Sequence, residues 1–135
     1  VSGVLETVLY YTSEHESFDF YSETMGFHPI GREPGRSMFF RAGASVFLLF
    51  NADATTKGGM LPPHGATGPG HTCFQVPDEE YAAWKEYLAE QDVEIIKEVT
   101  WPLGSTGDDV RGRSFYFHDP SGNVLEIADS DFWGR

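Results

Sequence analysis

The sequence predicts an α+β protein in which one βαβββ set of elements is written twice, and three observations carry that prediction. Short apolar stretches rich in Val, Ile, Phe and Tyr recur along the chain, as strands require. Two other stretches carry apolar residues at helical spacing, each shortly after the first strand of a set. The order strand, helix, strand, strand, strand then returns about 65 residues later, as a repeat of pattern rather than of identity.

In the first copy, Val4 to Thr12 reads as a strand. Ser13 and Glu16 have the spacing of a capping box, opening a helix from about Glu14 to Met25. Phe18, Tyr21 and Met25 share one face of it, and Gly26 is placed to stop it. Phe27 to Ile30, Ser37 to Arg41 and Ser45 to Phe50 follow as strands, the last two joined by a turn at Ala42-Gly43-Ala44. In the second copy, His71 to Val76 is the first strand. Pro77-Asp78-Glu79-Glu80 is an acidic helix start, and Tyr81, Trp84 and Leu88 line the helix face. Val93 to Ile96, Ser114 to His118 and Asn123 to Ala128 complete the set, with a turn at Asp119-Pro120-Ser121-Gly122. The modules span residues 4–52 and 70–131 of a single domain covering 1–135. A Gly/Pro-rich loop, Asn51 to Pro69, joins them, and Thr100 to Arg113 is a second long loop; loops of this length in a compact domain are usually functional or mobile.

Composition bounds the function. The 135 residues are 40% hydrophobic and 15% aromatic, enough for a core. Nine Lys plus Arg against 21 Asp plus Glu give a formal charge of −12, which repels phosphate backbones and anionic lipid, so neither nucleic acid nor membrane is expected as a partner. No apolar run is long enough to span a bilayer, and the first residues do not resemble a signal peptide. The one cysteine, Cys73, forms no internal disulfide and fits a cytoplasmic location.

Three apolar strands each carry one ionisable residue out of character. Glu6 shares a strand face with Val8 and Tyr10, His71 with Cys73 and Gln75, and Glu126 with Val124 and Ala128. An unpaired buried carboxylate costs several kcal/mol or shifts its pKa. Two carboxylates and an imidazole converging on a dication would remove that cost, whereas each residue alone reads more simply as a solvent-facing Glu or a hydrogen-bonded core His.

Ser114-Phe-Tyr-Phe-His-Asp-Pro-Ser-Gly-Asn-Val-Leu-Glu126 resembles a motif of the vicinal oxygen chelate superfamily: an aromatic strand, an Asp-Pro-x-Gly turn and a metal-binding Glu. Phe20-Tyr21, Met25-Gly26-Phe27 and Gly70-His71-Thr-Cys-Phe-Gln-Val76 extend the similarity over nearly the whole chain. The resemblance implies paired βαβββ modules forming a curled eight-stranded mixed sheet around a metal. It puts His71 and Glu126 on ligand positions and Glu6, fourteen residues before Phe20, where many relatives carry His. A further ligand position, in the last strand of the first module, is apolar here (Ser45-Val-Phe-Leu-Leu-Phe50).

The resemblance implies one divalent ion (Mn, Fe, Co, Ni, Zn or Mg), a small-molecule substrate with two neighbouring oxygens, and a homodimer whose copies share each site. The expected activity is lyase or isomerase chemistry through a metal-stabilised enediolate or oxyanion. Glu6 or Glu126 would move the proton, and the Tyr116 hydroxyl would face the pocket. Fe(II) extradiol ring cleavage normally uses two His and one carboxylate, one His more than this set holds. A metal-free binding protein of the bleomycin-resistance type is the rival class. Cys73 reads as a small buried residue or a pocket thiol, and Arg111 and Arg113 as solvated loop residues within reach of an anionic substrate.

Overall fold

The computed structural model describes residues 1–129 and 132–134. Its elements run β1 (Glu6–Tyr10), α1 (Glu14–Asp19), β2 (His28–Glu33), β3 (Ser37–Ala42), β4 (Ser45–Phe50), α2 (Ala52–Thr55), β5 (His71–Gln75), α3 (Tyr81–Glu90), β6 (Lys97–Trp101), β7 (Gly112–His118) and β8 (Val124–Ala128). The eight strands form two four-stranded mixed sheets, ordered β1-β4-β3-β2 and β5-β8-β7-β6. In each sheet the first strand runs parallel to the last and the other pairings are antiparallel. The chain divides into two compact units, Val1–Gly70 with Asp119–Asn123, and His71–His118 with Val124–Arg135.

In the first unit, one face of the sheet buries Leu9, Met38, Phe40, Phe47 and Leu49. The helix lays Tyr21 and Met25 on that face, with the Tyr21 ring 5.1 Å from Phe47. Fully burying a side chain of this size is worth about 1.5–3 kcal/mol, so this face supplies the unit's main stabilisation. The expected helix to Met25 is present but widens into a π-helical turn over Phe20–Thr24, where Met25 N–H reaches Phe20 O at 2.8 Å. Gly26, at φ +72°, ends it. The capping box does not form. Ser13 makes no side-chain cap bond; its N–H, like that of Thr12, is taken by Ser121 Oγ.

Ser121 belongs to the β7–β8 turn, which forms part of the first unit. Its anchor is Asp119, a buried carboxylate that accepts from Ser121 N, Asn123 N, Asn123 Nδ2 and the Tyr21 hydroxyl, at 2.9, 2.9, 2.9 and 2.6 Å. The Asp-Pro-Ser-Gly sequence therefore makes a turn whose acid is fully satisfied in place. Burial, followed by the Asp119 charge, pushes the Tyr21 phenol well above its ordinary range.

In the second unit, Phe115, Phe117, Leu125 and Ile127 bury one sheet face, with Tyr81 and Leu88 of α3 also buried and the Tyr81 ring 5.3 Å from Phe115. The sixth strand lies at Lys97–Trp101, not at Val93–Ile96. Val93 is taken by the end of α3: Asp92 adopts φ +61° and Val93 N–H bonds back to Leu88 O at 2.9 Å. Pairing with β7 begins only where Ile96 N–H reaches Tyr116 O.

Candidate metal centre

The pairing register defines what stands beside Glu126. Across the second sheet, Cys73 pairs with Glu126 and Glu126 with Tyr116, so the three share a face. His71, two residues before Cys73, is on that face as well. The opposite face carries the packed apolar core of the unit.

Glu126 is buried at 5% exposure. Its Oε1 accepts no hydrogen bond of ordinary geometry; among the described residues, Glu126 is the only ionisable group with such an orphaned buried oxygen. Its Oε2 lies 3.2 Å from His71 Nε2. The other ring nitrogen, Nδ1, is 2.9 Å from the carbonyl oxygen of Val124. A carbonyl only accepts, so Nδ1 carries the proton and Nε2 is the ring atom that faces the carboxylate. Two lone-pair atoms at that distance repel unless a proton or a cation lies between them. A ligating histidine typically donates its second N–H to a backbone carbonyl in this way. The donor set thus fits a divalent cation on a testable structural ground.

Two neighbours feel the same carboxylate. Cys73 is exposed as a residue, yet desolvation first and the Glu126 charge second push its thiol up to about 12. Burial, then Glu126, raises the Tyr116 phenol too, so it is a hydrogen-bond donor at neutral pH. The Tyr116 ring stacks on His71 with centroids 6.0 Å apart and an interplanar angle of 26°.

Glu6 opens β1 in the first unit and is exposed. The two sheets share one register: Glu6 pairs with Val46 as His71 pairs with Val124, and Val8 pairs with Leu48 as Cys73 pairs with Glu126. Glu6 therefore holds in its sheet the place His71 holds in the other, and Leu48 holds the place of Glu126. Leu48, the apolar residue in that equivalent position, is 6% exposed. Among the described residues, no group of three His, Cys, Asp or Glu gathers as a cation site; His71 and Glu126 are a close pair with a buried carboxylate, whereas the His15–Asp19 pair, at 3.3 Å, is exposed.

Arg113 is committed elsewhere. Its Nε reaches Asp129 Oδ2 at 2.9 Å, and its guanidinium lies 4.5 Å from the Tyr81 ring centroid. Lys97 was not singled out from the sequence, because the strand was placed one segment too early. Paired with Tyr116, it continues the row Cys73, Glu126, Tyr116 to the sheet edge.

The glyoxalase/bleomycin resistance protein/dioxygenase superfamily profile matches residues 3–127. The chain belongs to that superfamily. Among its members, a lactoylglutathione lyase from Agrobacterium tumefaciens superposes with a TM-score of 0.89 at 30% identity, covering 99% of this chain and 98% of that one. A curated superfamily relative, "Glyoxylase I 4" of Arabidopsis thaliana, is 27% identical over 125 residues, or 88% of this chain; the match spans only 66% of that protein's own length. A point mutant of the fosfomycin resistance protein FosX of Listeria monocytogenes, solved with Mn(II) and 1S,2S-dihydroxypropylphosphonic acid, shares the fold at a TM-score of 0.69 and 19% identity over 97% of this chain and 92% of that one. Among the described residues, no helix is long and apolar enough to cross a membrane.

Proposed function

We propose that the protein is a divalent-metal-dependent enzyme acting on a small substrate with two neighbouring oxygens, by lyase or isomerase chemistry. One observation carries the reading: His71 Nε2 lies 3.2 Å from Oε2 of the buried Glu126 carboxylate, whose Oε1 has no hydrogen-bond partner. His71 and Glu126 would hold the ion, with Glu6 as the third ligand, completed across a homodimer by Glu6 of a second copy. This oxygen-rich set suits Mn, Fe(II), Co, Ni, Zn or Mg. When bound, such an ion supplies Lewis acidity toward substrate oxygens.

The remaining work falls to the chain. The Val124 carbonyl holds the His71 ring in one tautomer and orientation. Tyr116, kept protonated, donates a hydrogen bond to a substrate oxygen. Glu6 and Glu126 are the carboxylates able to accept and return a substrate proton. The relatives named a lactoylglutathione lyase and a glyoxylase support the lyase class. The Mn(II) in FosX supports use of a divalent ion.

A second reading, a metal-free small-molecule binder, is favoured by Leu48 at a ligand position. Metal analysis of protein purified without chelator separates the two. The enzyme reading expects about one ion per chain, lost in His71→Ala and Glu126→Ala. No metal after dialysis against Mn(II), with an unchanged melting temperature, overturns it in favour of the binder.

A further inference from the structure

The His71 side chain is half exposed, so packing alone does not hold its ring. The chain arrives there from the Gly/Pro-rich loop, and β5 begins at His71 itself. What ties down this strand start is the residue before it. Gly70 N–H donates to Asn123 Oδ1 at 2.9 Å, just ahead of the His71–Val124 pair that opens the β5–β8 ladder. A side chain thus supplies one extra rung at the open end of the ladder.

Asn123 is buried at 3% exposure, and its whole amide is in use. Nδ2 donates to the Tyr10 carbonyl oxygen and to Asp119 Oδ2, both at 2.9 Å, while Oδ1 accepts from Gly70. A flipped amide would lose all three bonds, so its orientation is determined. Gly70 is held from the other side as well. A Cβ at that position would stand 2.6 Å from Cδ2 of the buried Leu9. Both partners of the rung lie one peptide bond from the atoms that orient the imidazole. Gly70 precedes His71, and Asn123 precedes Val124, whose carbonyl oxygen accepts the Nδ1 proton. A slip of one strand start against the other would stretch that bond and turn Nε2 away from Glu126.

We propose that Asn123 is a positioning residue: by stapling Gly70 it sets His71 over the Val124 carbonyl and so aims Nε2 at Glu126. The consequence for metal binding rests on the His71–Glu126 site of the preceding section. The effect on the ring does not, and it is measurable without metal.

The test reads the His71 ring by long-range proton–nitrogen NMR of the metal-free protein, the signal being assigned by its loss in His71→Gln. Wild-type protein is expected to show a slowly exchanging proton on Nδ1. Asn123→Ala should lose it, and so should Gly70→Ala, which forces the same rung apart against Leu9. Tyr21→Phe removes another hydrogen bond of the same Asp119 network and should keep the Nδ1 proton despite its loss of stability. Mn(II) affinity, read from the paramagnetic resonance of the free ion, should fall about tenfold in Asn123→Ala and stay within about threefold of wild type in Tyr21→Phe. No slow Nδ1 proton in wild type, an unchanged ring or Mn(II) affinity in Asn123→Ala, or an equal loss in Tyr21→Phe overturns the proposal. If Asn123→Ala does not fold, Gly70→Ala decides on the same readings. Failure of wild-type protein to take up Mn(II) defeats instead the metal reading, and the ring signal alone then decides whether Asn123 positions His71.

Discussion

Glu126 and Leu48 occupy the same place in their respective sheets, and the contrast shows what a carboxylate costs there. Leu48 is buried without polar demands, whereas Glu126 brings an orphaned oxygen and faces His71 Nε2. Chelator-treated Glu126→Leu should therefore be as stable as wild type, or more stable by about 1–2 kcal/mol, in thermal melts. Stabilisation by added Mn(II) should vanish in the same variant. A loss of more than about 2 kcal/mol without metal would mean that the carboxylate is structurally satisfied by other means. Cys73 gives a second check. Its folded thiol is raised from an ordinary 9.0 to about 12, so above pH 9 the unfolded chain gives up a proton that the folded chain keeps. The associated stability is whole below pH 9 and is lost as pH climbs toward 12. Iodoacetamide alkylation of the folded, metal-free protein should accordingly still be accelerating above pH 10; a plateau near pH 9 would contradict the placement of Cys73 beside Glu126. At this scale much was legible: a Glu within Val-Leu-Glu-Ile-Ala is out of character, and so is a His heading an apolar strand. The tautomer of His71 was not, because it depends on a carbonyl 53 residues away.

At the scale of elements, seven strands lie close to where hydrophobic pattern places them, because one face of each sheet is a continuous apolar core. The sixth was misread for a physical reason. Val93 to Ile96 is the more apolar segment, but its start closes a helix, and the edge strand that follows tolerates Lys97 and Glu98. That displacement hid the pairing of Lys97 with Tyr116. The Asp-Pro-Ser-Gly turn was legible as a turn, yet its role as an anchor beneath Tyr21 was not. Asp119→Ala removes the acceptor of four hydrogen bonds, one of them from a buried phenol. Urea denaturation should report a loss of about 2–4 kcal/mol. A loss under about 1 kcal/mol would show that the turn is held by backbone alone.

For the whole molecule, the duplicated pattern was the strongest sequence signal, and it appears as two sheets of the same strand order, with matching register where β1 pairs with β4 and β5 with β8. In the proposed reading the metal site is completed by assembly, which no local pattern encodes. If copies share sites, mixing Glu6→Ala protein with Glu126→Ala protein should restore roughly a quarter of wild-type metal sites in a statistical mixture of dimers. Restoration of none would assign all ligands to one chain. The most direct test of the central claim is anomalous diffraction from crystals grown with Mn(II). The account predicts a peak within bonding distance of both His71 Nε2 and Glu126 Oε2, with Nδ1 still donating to Val124. Occupied manganese elsewhere, with this pair bridged by nothing but a proton, would contradict it.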